Sequence, residues 1–114
     1  MPLDVSLAVP ISTAEQFDAW LRAHRTNERE VLVAIRKKSS GRQTVGLTEL
    51  QEVALCHGWV DTQTKRIDDE RYAIRFVPRR AGSNWSETNR AMARRLLASR
   101  RITEAGLATL PPDL

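Results

Sequence analysis

Cysteine is almost missing from this chain of 114 residues: Cys56 stands alone. A single cysteine excludes an internal disulfide and supplies no paired metal ligands. Histidine is scarce as well. His24 and His57 lie far apart, and neither adjoins a serine or cysteine nucleophile motif. The sequence also lacks a glycine-rich phosphate loop, an HExxH helix and any Cys/His ligand pair. No catalytic residue, metal ligand or cofactor is assigned on this basis. Long apolar runs are absent too; none approaches the roughly 20 residues that cross a bilayer. The opening Met-Pro-Leu-Asp-Val-Ser has neither the basic start nor the long apolar segment of an export signal. The sequence therefore predicts a cytoplasmic protein with no membrane span.

What is present describes a small globular chain. Hydrophobic residues make up 41% and charged residues 28%, which excludes a disordered chain. The length suits one domain with one modest core. Charge is uneven. Residues 1–70 carry nine Lys/Arg against eleven Asp/Glu, whereas residues 71–114 carry nine arginines against three acids. A basic C-terminal third favours an anionic partner, including nucleic acid. Yet fifteen of the eighteen basic residues are arginine, a bias that a high-GC genome produces without selection for binding.

Along the chain, residues 1–11 read as an N-terminal extension or edge strand, with pairing expected to fail by Pro10, which has no N–H. A first helix opens near Ser12 or Thr13, where Ser12 and Glu15 have capping-box spacing. Ala14, Phe17 and Leu21 form its apolar stripe, flanked by Trp20. His24 reads as a solvated residue near the helix end. Residues 30–36 are apolar on nearly every position, as in a central strand covered on both faces. Residues 37–42 form a basic loop, either an anion clamp or a solvated turn. A second helix is expected with Thr48 as N-cap and Gln51 at the capping-box offset. Leu50, Val53, Ala54 and His57 share its inner face, and Gly58 ends it. His57 reads as a satisfied structural histidine, and Cys56 as a small buried one.

Residues 59–67 and 71–77 form two strands of a hairpin around the acidic turn Asp68-Asp69-Glu70. Strict alternation puts Trp59, Asp61, Gln63 and Lys65 on one face of the first strand. On the second, Tyr72, Ile74 and Phe76 oppose Arg71, Ala73, Arg75 and Val77. Asp61 is expected to pair with Lys65 or Arg75. A third helix begins near Ser86 and carries Met92 and Leu96 on one side, with Arg90, Arg94, Arg95 and Arg100 on the remainder. A fourth, capped by Thr103, covers residues 104–110, and 111–114 are a tail. The fold class is α+β: one domain over residues 12–110, with a small, mostly antiparallel sheet of about three strands packed by three to four helices.

The residues with most chemistry are Trp59, Asp61, Arg75, Arg79, Arg80, Trp85 and Asn89. The Arg79-Arg80 loop leads into the start of the third helix, where free N–H groups and the dipole attract anions. Arginine adds a planar fork of donors for carboxylate or phosphate, and Trp85 a stacking surface. Together they suit a small anionic or aromatic ligand. The same residues also fit a core closed by Trp59 and Trp85, with the arginines solvating its rim.

The stretch from Ala54 through Gly58-Trp59-Val60-Asp61 and Gln63 resembles the family named YdeI or OmpD-associated, also called bacteriocin-protection. So do Tyr72-Ala73-Ile74-Arg75-Phe76-Val77-Pro78-Arg79-Arg80, Ser83-Asn84-Trp85-Ser86-Glu87-Thr88-Asn89 and the Thr103 to Gly106 segment. These motifs come in the family's order over residues 17–110. His57 replaces an aromatic, Thr62 a glycine and Val77 a common threonine. The resemblance implies a binding domain without established enzymatic activity or cofactor, linked to stress or resistance to bacteriocins and antimicrobial peptides. Two alternatives stand beside it. One is an enzyme on a small anionic substrate, with Asp61 or His57 as base. The other is nucleic-acid binding through the third-helix arginines and the Lys37-Lys38 loop. A protein partner, and dimerisation through the third helix, stay open.

Overall fold

The computed structural model describes residues 3–41, 45–80 and 84–114; Arg42, within the expected basic loop, and residues 81–83 of the Arg79-Arg80 loop lie outside them. The sheet starts with a short edge strand that includes Pro10, the residue by which pairing was expected to fail. β1 (Val9–Pro10) runs parallel to β2 (Val31–Arg36), with Val9 opposite Val33 and Pro10 opposite Ala34. Ile11 donates its N–H to the Ala34 carbonyl at 3.1 Å. Strand amides alternate in direction, so the missing N–H of Pro10 falls on the outer edge and costs no ladder bond. Upstream, Val5–Leu7 form a 3-10 turn rather than a strand, because the Asp4 carboxylate accepts the Ser6 N–H and fixes a local turn.

The remaining elements are α1 (Ala14–His24), α2 (Leu47–Cys56), β3 (Trp59–Arg66), β4 (Arg71–Pro78), α3 (Glu87–Ala98) and α4 (Glu104–Leu107). The sheet order is β1-β2-β4-β3, and the β2–β4 and β4–β3 pairs are antiparallel. The fold is α+β, a four-stranded mixed sheet with four helices in one domain; β1 supplies the strand beyond the three expected.

The helix starts follow local hydrogen bonding. α1 is capped by Thr13, whose hydroxyl accepts the Gln16 N–H, while the Gln16 side chain accepts from Ser12 and Thr13 N–H at 2.7 and 3.3 Å. One neutral amide thus satisfies two free donors, and the box sits one residue later than the Ser12–Glu15 spacing suggested. α2 starts earlier than Thr48: the Glu49 carboxylate takes the Gly46 N–H at 3.1 Å. Thr48 and Gln51 therefore lie inside the helix. α3 and α4 open on Ser86 and Thr103 as expected, each hydroxyl accepting an amide three residues on.

The main core lies between the sheet and α1 and α2. Phe17 and Leu21 of α1 and Leu50, Val53 and Ala54 of α2 pack on Val31, Val33, Ile35, Ile74 and Phe76. The Phe17 and Phe76 rings meet at 4.8 Å, a geometry in which an aromatic pair adds about 1 kcal/mol to its area burial. A second cluster joins Leu55 and Cys56 to Met92, Ala93 and Leu96 of α3. Burial pushes the Cys56 thiol up, which suits packing rather than reactivity.

β3 departs from strict alternation. Asp61 pairs with Phe76 but Gln63 pairs with Arg75, so Thr62 is an extra residue, a bulge. Downstream of it every side chain changes face. Thr64 and Arg66 join Trp59 and Asp61 on the helix-covered front, opposite Ile74 and Tyr72. Gln63 and Lys65, expected beside Asp61, move to the back. There the Lys65 ammonium donates to the Leu3 carbonyl at 3.2 Å, tying the N-terminal segment to the sheet.

Gly58 ends α2 at φ +78°, and an added Cβ would lie 2.9 Å from the Ala105 carbonyl oxygen. Gly41 has a similar φ of +70° but open space around it. The left-handed conformation costs a residue with a Cβ about 1–2 kcal/mol, and crowding adds about 1–3 kcal/mol. Gly58→Ala is therefore expected to destabilise the fold by about 3 kcal/mol, and Gly41→Ala by about 1 kcal/mol. Urea denaturation of the two variants checks the difference.

Candidate functional site

The bulge splits the residues singled out in the sequence. Trp59 and Asp61 face the front. Trp59 is only 3% exposed and meets Trp20 edge-on at 6.1 Å, so it is part of the core. Asp61 accepts from the Gln51 amide at 3.3 Å through both oxygens. Arg75 faces the back, where it reaches Glu30 at 3.5 Å and the Thr62 hydroxyl at 3.3 Å. The expected ion pair of Asp61 with Lys65 or Arg75 does not form, because the sheet stands between them.

Arg79 links the two faces. Its N–H donates to the Gly58 carbonyl at 2.8 Å, extending the β3–β4 pairing past Pro78. Its guanidinium lies 3.9 Å from the centroid of the Trp85 ring and donates to the Asn84 carbonyl. Stacking of this kind contributes about 0.5–2 kcal/mol, more as water is excluded. Burial pushes the Arg79 pKa down, opposed by the negative charge of Asp61; an arginine stays protonated nonetheless. Trp85 itself is half-buried and rests on the second core cluster.

On the back, Arg75, Arg79 and Arg80 line one open groove of about 650 Å³, joined by Arg29. Among the described residues Glu30 is the one carboxylate in its lining, which also includes Thr62, Val77 and Pro78. Three of the expected site residues therefore meet, with Trp85 held against one of them. Asn89 lies in the first turn of α3, where its N–H donates to Ser86 Oγ at 3.1 Å, and it does not line this groove. Arg29 and Glu30 belong to a segment that reads as polar loop and strand start. No periodicity or motif marks them, and only the pairing of β2 with β4 brings them to Arg75.

His57 is 2% exposed at the end of α2. Its Nδ1 lies 2.7 Å from Arg25 Nη1, and its Nε2 lies 2.7 Å from Asp18 Oδ1. Arginine can only donate, so Nδ1 is the acceptor and Nε2–H donates to the carboxylate. This fixes a neutral ring with one tautomer. Burial pushes the His57 pKa down; the Asp18 hydrogen bond and charge resist, while Arg25 and Arg22 add to the depression. For Asp18, burial opposes ionisation, but its bonds to His57 and Arg22 outweigh that and hold its pKa below the usual value. With both nitrogens engaged inside the protein, His57 joins α1 to α2, as a satisfied structural histidine does.

The arginines expected on α3 are divided, and Arg100 lies beyond the helix end. Arg90 pairs with Asp113 at 3.3 Å and Arg95 with Glu52 at 2.6 Å, which leaves Arg94 and Arg100 exposed without a continuous basic face through all four. His24 stacks on Trp20 at 4.7 Å rather than standing in solvent. Among the described residues, no group of three or more His, Cys, Asp and Glu is placed to hold a metal ion, and no helix is long and apolar enough to cross a membrane.

Fold and site thus define a small α+β domain with an arginine-lined groove at the end of its central strands. The chain belongs to the family described as a domain of unknown function (DUF8412), whose model matches residues 9–109. No curated protein and no solved structure matches it.

A histidine whose folded pKa lies below its unfolded value, near 6.5, favours the fold fully above that pH. As pH falls, the unfolded chain takes up the proton first and stability declines. Unfolding free energy is expected to drop between pH 7.5 and 5.5, and the drop is expected to shrink in His57→Phe. Urea titrations of both proteins at the two pH values measure it.

Proposed function

We propose that this domain binds a small anionic ligand, with an aromatic body as the favoured form, and performs no covalent chemistry at the groove. The observation that carries this reading is the convergence of Arg29, Arg75, Arg79 and Arg80 on one groove, with Glu30 the only acidic lining residue among those described. Planar guanidinium forks suit carboxylate, sulfate or phosphate. Trp85, already stacked on Arg79, offers an aromatic surface beside them. The volume falls within the range of sites for drug-sized molecules.

The resemblance of residues 54–63, 72–80 and 83–89 to the YdeI/OmpD-associated family supports a role in stress or antimicrobial resistance, by sequestering a compound rather than transforming it. The enzymatic alternative asks His57 or Asp61 to serve as base. His57 spends both ring nitrogens on Asp18 and Arg25, and Asp61 lies on the face opposite Arg75, so the binding reading is the better supported. Nucleic-acid binding asks for a continuous arginine face on α3, which the Asp113 and Glu52 ion pairs interrupt.

A tryptophan-fluorescence and thermal-shift panel of aromatic carboxylates, aryl phosphates, nucleotides and peptide antibiotics, at low and high salt, tests the proposal. An aromatic anion is expected to bind with modest salt dependence. Arg80→Ala or Arg79→Ala should weaken it about tenfold, the scale of one lost charge-assisted hydrogen bond, and Trp85→Ala should weaken it as well. Binding confined to nucleic acid and abolished by salt would replace this reading with the basic-surface one.

A further inference from the structure

A second, smaller concavity lies on the other side of Arg79. It has a volume of about 220 Å³, and Arg25, His57, Gly58, Trp59, Arg79 and Thr109 are among its lining residues. Two arginines line it, and among the described residues no aspartate or glutamate does. Arg25 spends one nitrogen on His57 Nδ1. The nearby carboxylate of Asp18 is bonded to Arg22 and His57 instead. Arg25 therefore brings to the cleft a positive charge and several donors that no described carboxylate answers within ion-pair distance. At this size the cleft is below the usual range for drug-sized molecules. Trp59 and Pro78 add apolar surface to its wall.

We propose that this cleft is a small-oxyanion site, in which Arg25 and Arg79 grip a sulfate, phosphate or carboxylate group from two sides. The proposal does not rest on a ligand in the larger groove: Arg79 is common to both, but Arg25 lines only the cleft and Arg80 only the groove.

His57 makes the site sensitive to pH. In its neutral form Nδ1 holds Arg25 against the end of α2. A protonated ring donates from both nitrogens, so Nδ1–H meets the Arg25 cation and the tether turns repulsive. Arg25 is then released toward the cleft, which gains a further positive charge. The groups facing His57 divide: Asp18 favours the protonated ring, and Arg22 and Arg25 oppose it. From α1 and its end come Asp18, Arg22 and Arg25, with His24 one residue before Arg25. Arg79 faces the cleft from the end of β4, and Ala105 and Thr109 add no charge. On its own helix Glu52 is paired with Arg95.

Sulfate is the suitable probe, because its charge is constant between pH 6 and 8. Titration of the full chain at fixed ionic strength, followed by amide and imidazole NMR, is expected to show saturable shifts at Arg25, Gly58 and the Arg79 amide. Arg25→Gln should weaken binding at least tenfold and Arg80→Gln less than twofold. Affinity should rise severalfold from pH 7.5 to 6.0, and His57→Phe should remove that rise. If His57→Phe does not fold, the wild-type imidazole nitrogens serve instead: at pH 6.0, sulfate should increase the doubly protonated fraction of His57. Phenyl sulfate separates a free ion from the head of a larger ligand. In both cases Arg25 is needed, but only a ligand reaching the groove is also sensitive to Arg80→Gln. Non-saturating shifts matched by chloride, or equal losses in Arg25→Gln and Arg80→Gln, would overturn the cleft site. The second outcome would leave the arginine groove standing, whereas a failed aromatic panel with intact sulfate binding would remove the groove and keep the cleft.

Discussion

The carbonyl oxygen of Cys56 accepts two hydrogen bonds from one residue, the Thr103 N–H at 2.9 Å and the Thr103 hydroxyl at 2.7 Å. That junction fixes the end of α2 against the segment that begins α4. It is possible only because Gly106 has no side chain: a Cβ there would lie 2.3 Å from the same oxygen. One turn away, Gly58 meets the Ala105 carbonyl in the same manner. The end of α2 sets where His57 sits, where β3 begins and where Arg79 can pair with Gly58. Both concavities inherit their positions from this contact. The buried Cys56 side chain contributes to it as packing, held between α2 and α3 by Met92, Ala93 and Leu96.

Much of the fold was legible because hydrophobic period and cap chemistry agree. Phe17 and Leu21, Leu50 and Val53, and Met92 and Leu96 fall where their spacing puts them, and Ser86, Thr103 and Gly58 mark helix boundaries as their side chains, or the lack of one, require. The errors have physical sources. At the first helix Ser12 and Thr13 competed, and Gln16, three residues beyond Thr13, decided; at the second Thr48 was expected, but Glu49 caps the helix from Gly46. Pro10 read as a stop, yet a proline on an outer edge loses nothing. The bulge at Thr62 had no sequence mark, and one extra residue was enough to exchange the faces of Gln63 and Lys65 with those of Thr64 and Arg66.

The site was legible in part for the same reason. Arg75, Arg79 and Arg80 were chosen for chemistry and do line one groove. Asp61 and Trp59 were grouped with them by nearness in sequence, but a sheet separates its two faces more strictly than chain distance suggests. Arg25 and Arg29 were invisible, since an arginine in a polar loop looks the same whether it meets solvent or a cleft. What recruits them is long-range pairing: β2 beside β4 places Arg29 and Glu30 near Arg75, and the His57 bridge draws Arg25 over the end of α2.

The bulge has a further consequence, for how copies of this chain meet. A four-stranded open sheet has two edges, and an exposed edge offers unpaired amides and carbonyls to any other strand. Here one edge is β1, two residues long and closed by Pro10. The other is β3, which is kinked at Thr62 and carries Lys65 and Arg66 on its outer half. A strand bent at its middle does not present a straight run of amides and carbonyls to a copy of itself. The irregularity that assigns the arginines to their faces thus also guards the sheet against growing, edge to edge, into an aggregate.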